Sequence, residues 1–121
     1  MLSFIFYKIN KMQALEQRGA EVYRIAEARN GRIDLHELMI FLGRQSLNQV
    51  WVEAGPVLSG ALLKQKLVDE WLIYIAPSVM GDEGRGLFKV PGLSVMADKI
   101  DLKLKEARQI GPDLRLKFVV N

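Results

Sequence analysis

Cysteine is absent from this 121-residue chain, which excludes disulfides, thiolate metal sites and cysteine nucleophiles. Histidine is nearly absent as well. His36 stands alone in a segment patterned as a helix, and one imidazole without partners reads as a surface or half-buried structural group rather than a metal ligand. A charge excess of one sign is also missing. The 17 basic residues are interspersed with 14 acidic ones for a net charge of +3, and no basic stripe carries interleaved aromatics, so nucleic acid is not an expected partner. No apolar run is long enough to cross a membrane, and no membrane partner is expected. The apolar run Met1 to Tyr7 lacks the basic n-region and cleavage site of a signal peptide. Its Phe4-Ile5-Phe6-Tyr7 suits a buried strand instead, and a cytoplasmic location is compatible with all of this.

What is present is an ordinary globular composition, 50% hydrophobic and 26% charged, long enough for one domain spanning 1–121 that buries roughly two-thirds of the unfolded chain's surface. Asn10 can cap a helix from Lys11 to Arg18, which Gly19 ends. Glu21 to Ile25 reads as a short strand, and Asn30-Gly31 as a turn. Asp34 then caps a helix whose Leu35, Leu38, Met39 and Leu42 fall at i, i+3, i+4 and i+7, with Gly43 closing it. Trp71 to Ala76 is a near-continuous apolar strand. Strands apolar on both faces, alternating with helices, predict an α/β fold with a mostly parallel sheet flanked by helices.

The character then changes. Pro77 to Lys99 contains Gly81, Gly84, Gly86 and Gly92, and a loop this long in a compact domain is functional or mobile. The tail predicts an antiparallel C-terminal hairpin with Leu102, Leu104, Leu114, Leu116, Phe118 and Val120 inward and Gly111-Pro112-Asp113 as the reversal. Lys103, Lys105, Arg115 and Lys117 form its polar face, either solvated, facing another subunit or attracting a phosphate.

The stretch that organises the chain lies between these parts. Val50-Trp51-Val52 suits a buried strand, and Gly55-Pro56 breaks it, Pro at the first helical position giving up only an N–H that has no intrahelical partner. From Val57 the residues Leu58, Ala61 and Leu62 mark an apolar helix face. A strand, a glycine turn and a helix N-terminus bring free N–H groups and the positive end of the helix dipole together, which favours a phosphate. Ser59 adds a hydroxyl, Gly60 leaves room for close approach, and Glu53 points its carboxylate into the same crevice. The glycines do not make the dinucleotide fingerprint G-x-G-x-x-G, so on spacing alone plain chain reversal stands beside the phosphate reading.

Residues Val52-Glu53-Ala54-Gly55-Pro56-Val57-Leu58-Ser59-Gly60-Ala61-Leu62-Leu63, followed by Leu67-Val68-Asp69-Glu70, carry a more specific signal. This run resembles the V-E-G/A-G-x-x-L-x-G-A-L-L and L-V-D-E motifs of the reductase domain of the bifunctional riboflavin-biosynthesis deaminase/reductase. The likeness continues in order through Ile75-Ala76-Pro77, Gly81, Arg85-Gly86-Leu87-Phe88, Pro91-Gly92-Leu93 and Ile110-Gly111-Pro112-Asp113-Leu114-Arg115.

The resemblance implies a dihydrofolate-reductase-like three-layer fold and NADPH-dependent reduction of the ribosylamino group of a phosphorylated pyrimidine, 5-amino-6-(5-phosphoribosylamino)uracil, to ribitylamino. It places cofactor binding on Gly55, Pro56, Val57, Leu58, Ser59, Gly60 and Ala61, and substrate contact on Glu53, for which capping of nearby N–H groups is the alternative. No catalytic residue follows from it. Asp69 and Glu70 read as a loop cap and a surface charge, and Arg85 as solvent-exposed or reaching a phosphate. The resemblance covers about the C-terminal half of the family's reductase domain, without its N-terminal strand and without the zinc deaminase domain. The expectation is therefore a partial domain, from a truncated gene or completed by a separate chain, whose unpaired strand edge invites a homodimer or larger assembly. An active reductase and a non-catalytic structural remnant are the competing expectations.

Overall fold

A computed structural model describes residues 9–120, so the strand expected at Leu2 to Tyr7 lies outside the described residues. The chain divides into two compact units, 1–41 and 42–121.

In the first unit, α1 (Ile9–Glu16) begins earlier than the asparagine cap implies and takes Asn10 into the helix. It ends at Glu16, two residues short of the expected Arg18, and the turn that follows closes with Gly19 at φ 82° and the Ala20 N–H donating to the Leu15 carbonyl. Residues 21–25 carry no strand. The Asn30-Gly31 turn is formed and is closed by a single bridge between Glu27 and Ile33. α2 (Leu35–Arg44) starts in this unit, where its cap demands, and its last three residues belong to the second. The Asp34 carboxylate accepts the N–H groups of His36 at 2.9 Å and Glu37 at 3.2 Å, an arrangement of the kind that contributes about 1 kcal/mol. Leu35, Leu38 and Leu42 are buried and Met39 is half-buried, so the apolar face lies where the i, i+3, i+4, i+7 spacing puts it. Gly43 does not close the helix, which runs through Arg44 before Ser46 takes the left-handed conformation at φ 55°. Tyr23 and Phe41 meet as a tilted pair, ring centroids 4.7 Å apart at 52°.

In the second unit, α3 (Pro56–Lys64) supplies the core residues Leu62 and Leu63, 2% and 5% exposed. The helix ends in paired backbone bonds from Lys66 to Leu63 and from Leu67 to Leu62, with Lys66 at φ 54°. This is the Schellman closure, built here without glycine. Three strands follow: β1 (Trp71–Ile75), β2 (Leu102–Ile110) and β3 (Asp113–Val120). They form one sheet in the order β1-β3-β2. Both pairings are antiparallel, Ile73 facing Leu116 and Ala107 facing Leu116. The expectation of a mostly parallel sheet is not met among the described residues. Parallel pairing needs a second crossover strand beside β1, and the segment expected to supply one, Val50–Val52, forms no strand. Its side chains are exposed, Trp51 by 69%. Apolar, β-prone residues make a strand only when a partner offers hydrogen bonds and a surface to pack on.

The hairpin forms where it was expected. Gly111 at φ 57° followed by Pro112 suits a type II′ reversal, in which the positive φ falls on the first central residue alone. Leu116, Phe118 and Val120 are half-buried, whereas Leu104 and Leu114 are 51% and 40% exposed, so two of the six inward positions stand largely in solvent. A bulge at Lys105 shifts the register between Leu104 and Glu106. Arg115 bonds Glu106 across the pair. This hydrogen bond, then the charge behind it, holds the Glu106 carboxyl below its ordinary range and raises the Arg115 guanidinium.

Candidate functional site

The turn before α3 keeps the shape its sequence implies. Gly55 occupies the N-cap in an extended conformation, φ −72° and ψ 170°, and Pro56 is the first helical residue. No side chain caps this end. Helix geometry leaves the N–H groups of Val57 and Leu58 without intrahelical acceptors, and the first to find one is Ser59, which donates to the Gly55 carbonyl at 3.1 Å. Val57 and Leu58 are exposed, and a Cβ at Gly55 would meet nothing within 4 Å. This end of the helix is open, and Glu53 stands exposed beside it in sequence.

The second half of the motif faces inward. Ser59 is 8% exposed, and its hydroxyl donates to the Ala54 carbonyl at 3.3 Å, fastening the turn to the helix. Gly60 is buried for a steric reason: a Cβ there would stand 2.2 Å from the Lys89 carbonyl oxygen and 2.7 Å from the carbonyl carbon. Ala61 is half-buried. Of the seven residues expected at a cofactor, Gly55, Val57 and Leu58 are the accessible ones, Pro56 and Ala61 are half-buried, and Ser59 and Gly60 are committed to the fold.

The partner of Gly60 belongs to the glycine-rich loop. The Lys89 N–H donates to the Pro56 carbonyl at 2.8 Å, and the Lys64 ammonium donates to the Pro91 carbonyl at 3.0 Å. One residue earlier, Phe88 meets Trp71 of β1 edge-on, centroids 4.9 Å apart at 89°. The loop therefore lies across α3 as a strap. Beneath it is an apolar pocket of about 390 Å³ between Leu63, Phe88, Val90, Leu93, Met96 and Leu102, which shares no residue with the expected cofactor turn. Past the pocket, the Asp98 carboxylate accepts the N–H groups of Ser94 and Val95 at 3.1 and 3.2 Å. The Ser94 bond and then the Val95 bond hold its pKa below the ordinary aspartate value. Nothing in the sequence marks Lys89. Its role is carried by its backbone, opposite a glycine 29 positions away, and local pattern holds no sign of it.

The other candidates are exposed. Glu70 pairs with Lys117 at 2.9 Å, in keeping with a surface charge, and Asp69 and Arg85 lie in solvent. Among the described residues no helix is long and apolar enough to cross a membrane.

The RibD C-terminal domain family model matches residues 6–116. The riboflavin biosynthesis protein RibD of Escherichia coli is 52% identical over 89 residues, covering 74% of this chain and 24% of that protein. A 5-amino-6-(5-phosphoribosylamino)uracil reductase of Buchnera aphidicola is 40% identical over 92 residues, 76% of this chain and 44% of that one. The chain thus spans less than half the length of either relative. A solved structure of Acinetobacter baumannii RibD superposes with a TM-score of 0.76 at 29% identity, covering 90% of this chain and 29% of that one. With the family model matched from residue 6 to residue 116 and a relative more than half identical, this chain belongs to the RibD C-terminal domain family.

Proposed function

We propose that this chain is a cytoplasmic pyrimidine reductase component of riboflavin biosynthesis, with a dihydrofolate-reductase-like layered fold, acting on 5-amino-6-(5-phosphoribosylamino)uracil with NADPH. The names of its relatives support the pathway and the substrate. The observation that carries the site is the open, uncapped first turn of α3 behind Gly55. A dinucleotide phosphate fits there: the Val57 and Leu58 N–H groups donate to its oxygens, the helix dipole adds favourable charge, and Gly55 leaves its approach clear. The Glu53 carboxylate accepts hydrogen bonds from the substrate. When bound, NADPH supplies the hydride, and the chain's part is to position it against the sugar carbon.

Thermal unfolding with NADPH, with NADH as control, tests this reading. At about 100 times its dissociation constant a ligand stabilises by roughly 2.7 kcal/mol, which moves the midpoint by several degrees. Gly55→Val is the decisive variant. Its extended backbone suits valine and an added Cβ meets nothing within 4 Å, so the unliganded midpoint stays and the NADPH shift disappears. A shift that survives in the variant removes the site from this turn. No shift in either protein favours a non-catalytic remnant, the reading supported by the inward commitment of Ser59 and Gly60.

The same proposal includes a homodimer, or a larger assembly, formed through the sheet. Among the described residues both outer strands have one unpaired edge. β2 is guarded by Lys103, Lys105, Arg108 and its bulge, features that oppose edge pairing. β1 is five uncharged residues, with Tyr74 57% and Ile75 49% exposed, and it is the edge we assign to the contact. Light scattering at micromolar concentration is expected to give at least twice the monomer mass of 13.7 kDa, and a monomer alone rules the assembly out.

A further inference from the structure

We propose that Gly60 is a positioning residue: it is the socket that seats the Gly84–Val95 strap on α3, and the seated strap in turn sets the first turn of that helix for its ligand. The second half of this statement rests on the dinucleotide reading above; the first does not.

Three observations converge on the seat. Gly60 is the one glycine in the described chain whose added Cβ would press on backbone closer than 3.0 Å, and all three nearest atoms belong to Lys89. A flexible side chain could swing away from such a contact, whereas a peptide unit has to move as a whole. The same residue's N–H reaches the Pro56 carbonyl, so Lys89 is held at its nitrogen by the first helical residue and at its carbonyl by the hollow over Gly60. Farther along, Lys64 donates to Pro91, and Gly92 at φ 94° bends the strap back toward the Lys64 ammonium, 3.7 Å from where its Cβ would lie. The strap is thus fixed at the start, middle and end of one nine-residue helix.

Pro56 is where the seat meets the candidate site. Its carbonyl accepts a bond from the strap, while the next two N–H groups have no intrahelical acceptor. A displaced Lys89 takes one bond from that carbonyl, leaves it only its helical partner, and loosens the N1 residue, as helix ends with fewer restraints fray. Glycine at position 60 then serves ligand binding through the strap and without touching the ligand.

The test is amide hydrogen exchange on the intact chain, with Gly60→Ala beside Gly55→Ala. In the unaltered protein the Lys89 N–H is protected. Gly60→Ala is expected to speed its exchange by about tenfold or more while the β2–β3 amides keep their rates, and Gly55→Ala to leave it unchanged. Equal protection of Lys89 in Gly60→Ala, or no protection in the unaltered chain, overturns the seat. Should Gly60→Ala fail to fold, exchange of the unaltered chain in low denaturant decides: a seated Lys89 opens together with the Leu63 and Lys64 amides, and an unseated one opens alone and faster. NADPH titration then separates the two halves. A dissociation constant raised about tenfold in Gly60→Ala, with Lys89 released, supports positioning. An unchanged constant with Lys89 released overturns positioning and leaves the seat. No NADPH binding by the unaltered chain removes the dinucleotide reading and the positioning role with it, while the exchange result still stands.

Discussion

Leu62→Ala is expected to destabilise the 42–121 unit by about 3 kcal/mol, the middle of the range for a leucine truncated in a core that relaxes only partly. Leu62 is 2% exposed, the most deeply buried apolar side chain among the described residues, and the only other core residues of its unit are Leu42 and Leu63. With so few buried side chains, neighbours cannot share the load. The loss is also a large share of total stability for a small domain, which is only about 5–15 kcal/mol. Urea denaturation followed by circular dichroism measures it, as a fall in the midpoint with the slope retained. A loss below about 1 kcal/mol would show that α3 does not hold the core of this unit.

Phe88→Ala is the second large effect, expected at about 2 kcal/mol, below the 3–5 kcal/mol of fully buried aromatics because Phe88 is only half-buried. Phe88 ties the strap to the sheet through its edge-on contact with Trp71, a geometry worth about 0.5–1.5 kcal/mol beyond the area it buries. Trp71 is the reporter. Its indole nitrogen is buried without a hydrogen-bond partner, so removing Phe88 opens it to water. The tryptophan emission should therefore move to the red along with the loss of stability, after correction for Trp51, which is already 69% exposed. A stable variant with unshifted emission would place the strap's anchorage wholly on α3.

The elements legible in the sequence are those whose causes are local. Asp34 and the i, i+3, i+4, i+7 leucines both act within α2, and helix and cap appear where they should. Gly111-Pro112 sets the reversal between β2 and β3 by backbone chemistry alone. Pro56 opens α3 for the same reason. Val50–Val52 failed because strand formation is decided by a neighbour, and the parallel sheet failed with it. Gly60 shows the limit most clearly at the candidate site. A glycine in a helix N-terminal motif has two explanations, room for a ligand and room for the chain itself, and only the position of Lys89 distinguishes them. At Gly55 no neighbour of the chain comes within 4 Å of an added Cβ, so crowding by the chain itself does not account for it.

The pairing of Trp71 with Phe118 has a topological consequence for the strap. Since β1 and β3 are already joined, residues 76–101 form a loop whose two ends the sheet holds in place. Closure entropy grows only logarithmically with length, about 0.6 kcal/mol for each doubling. Extra residues in the free arm between Pro77 and Gly84 thus carry little thermodynamic penalty, whereas a one-residue slip at Lys89 replaces a seated peptide unit by a clash. In this fold, insertions are to be expected ahead of the seat, and a fixed spacing from Phe88 to Pro91.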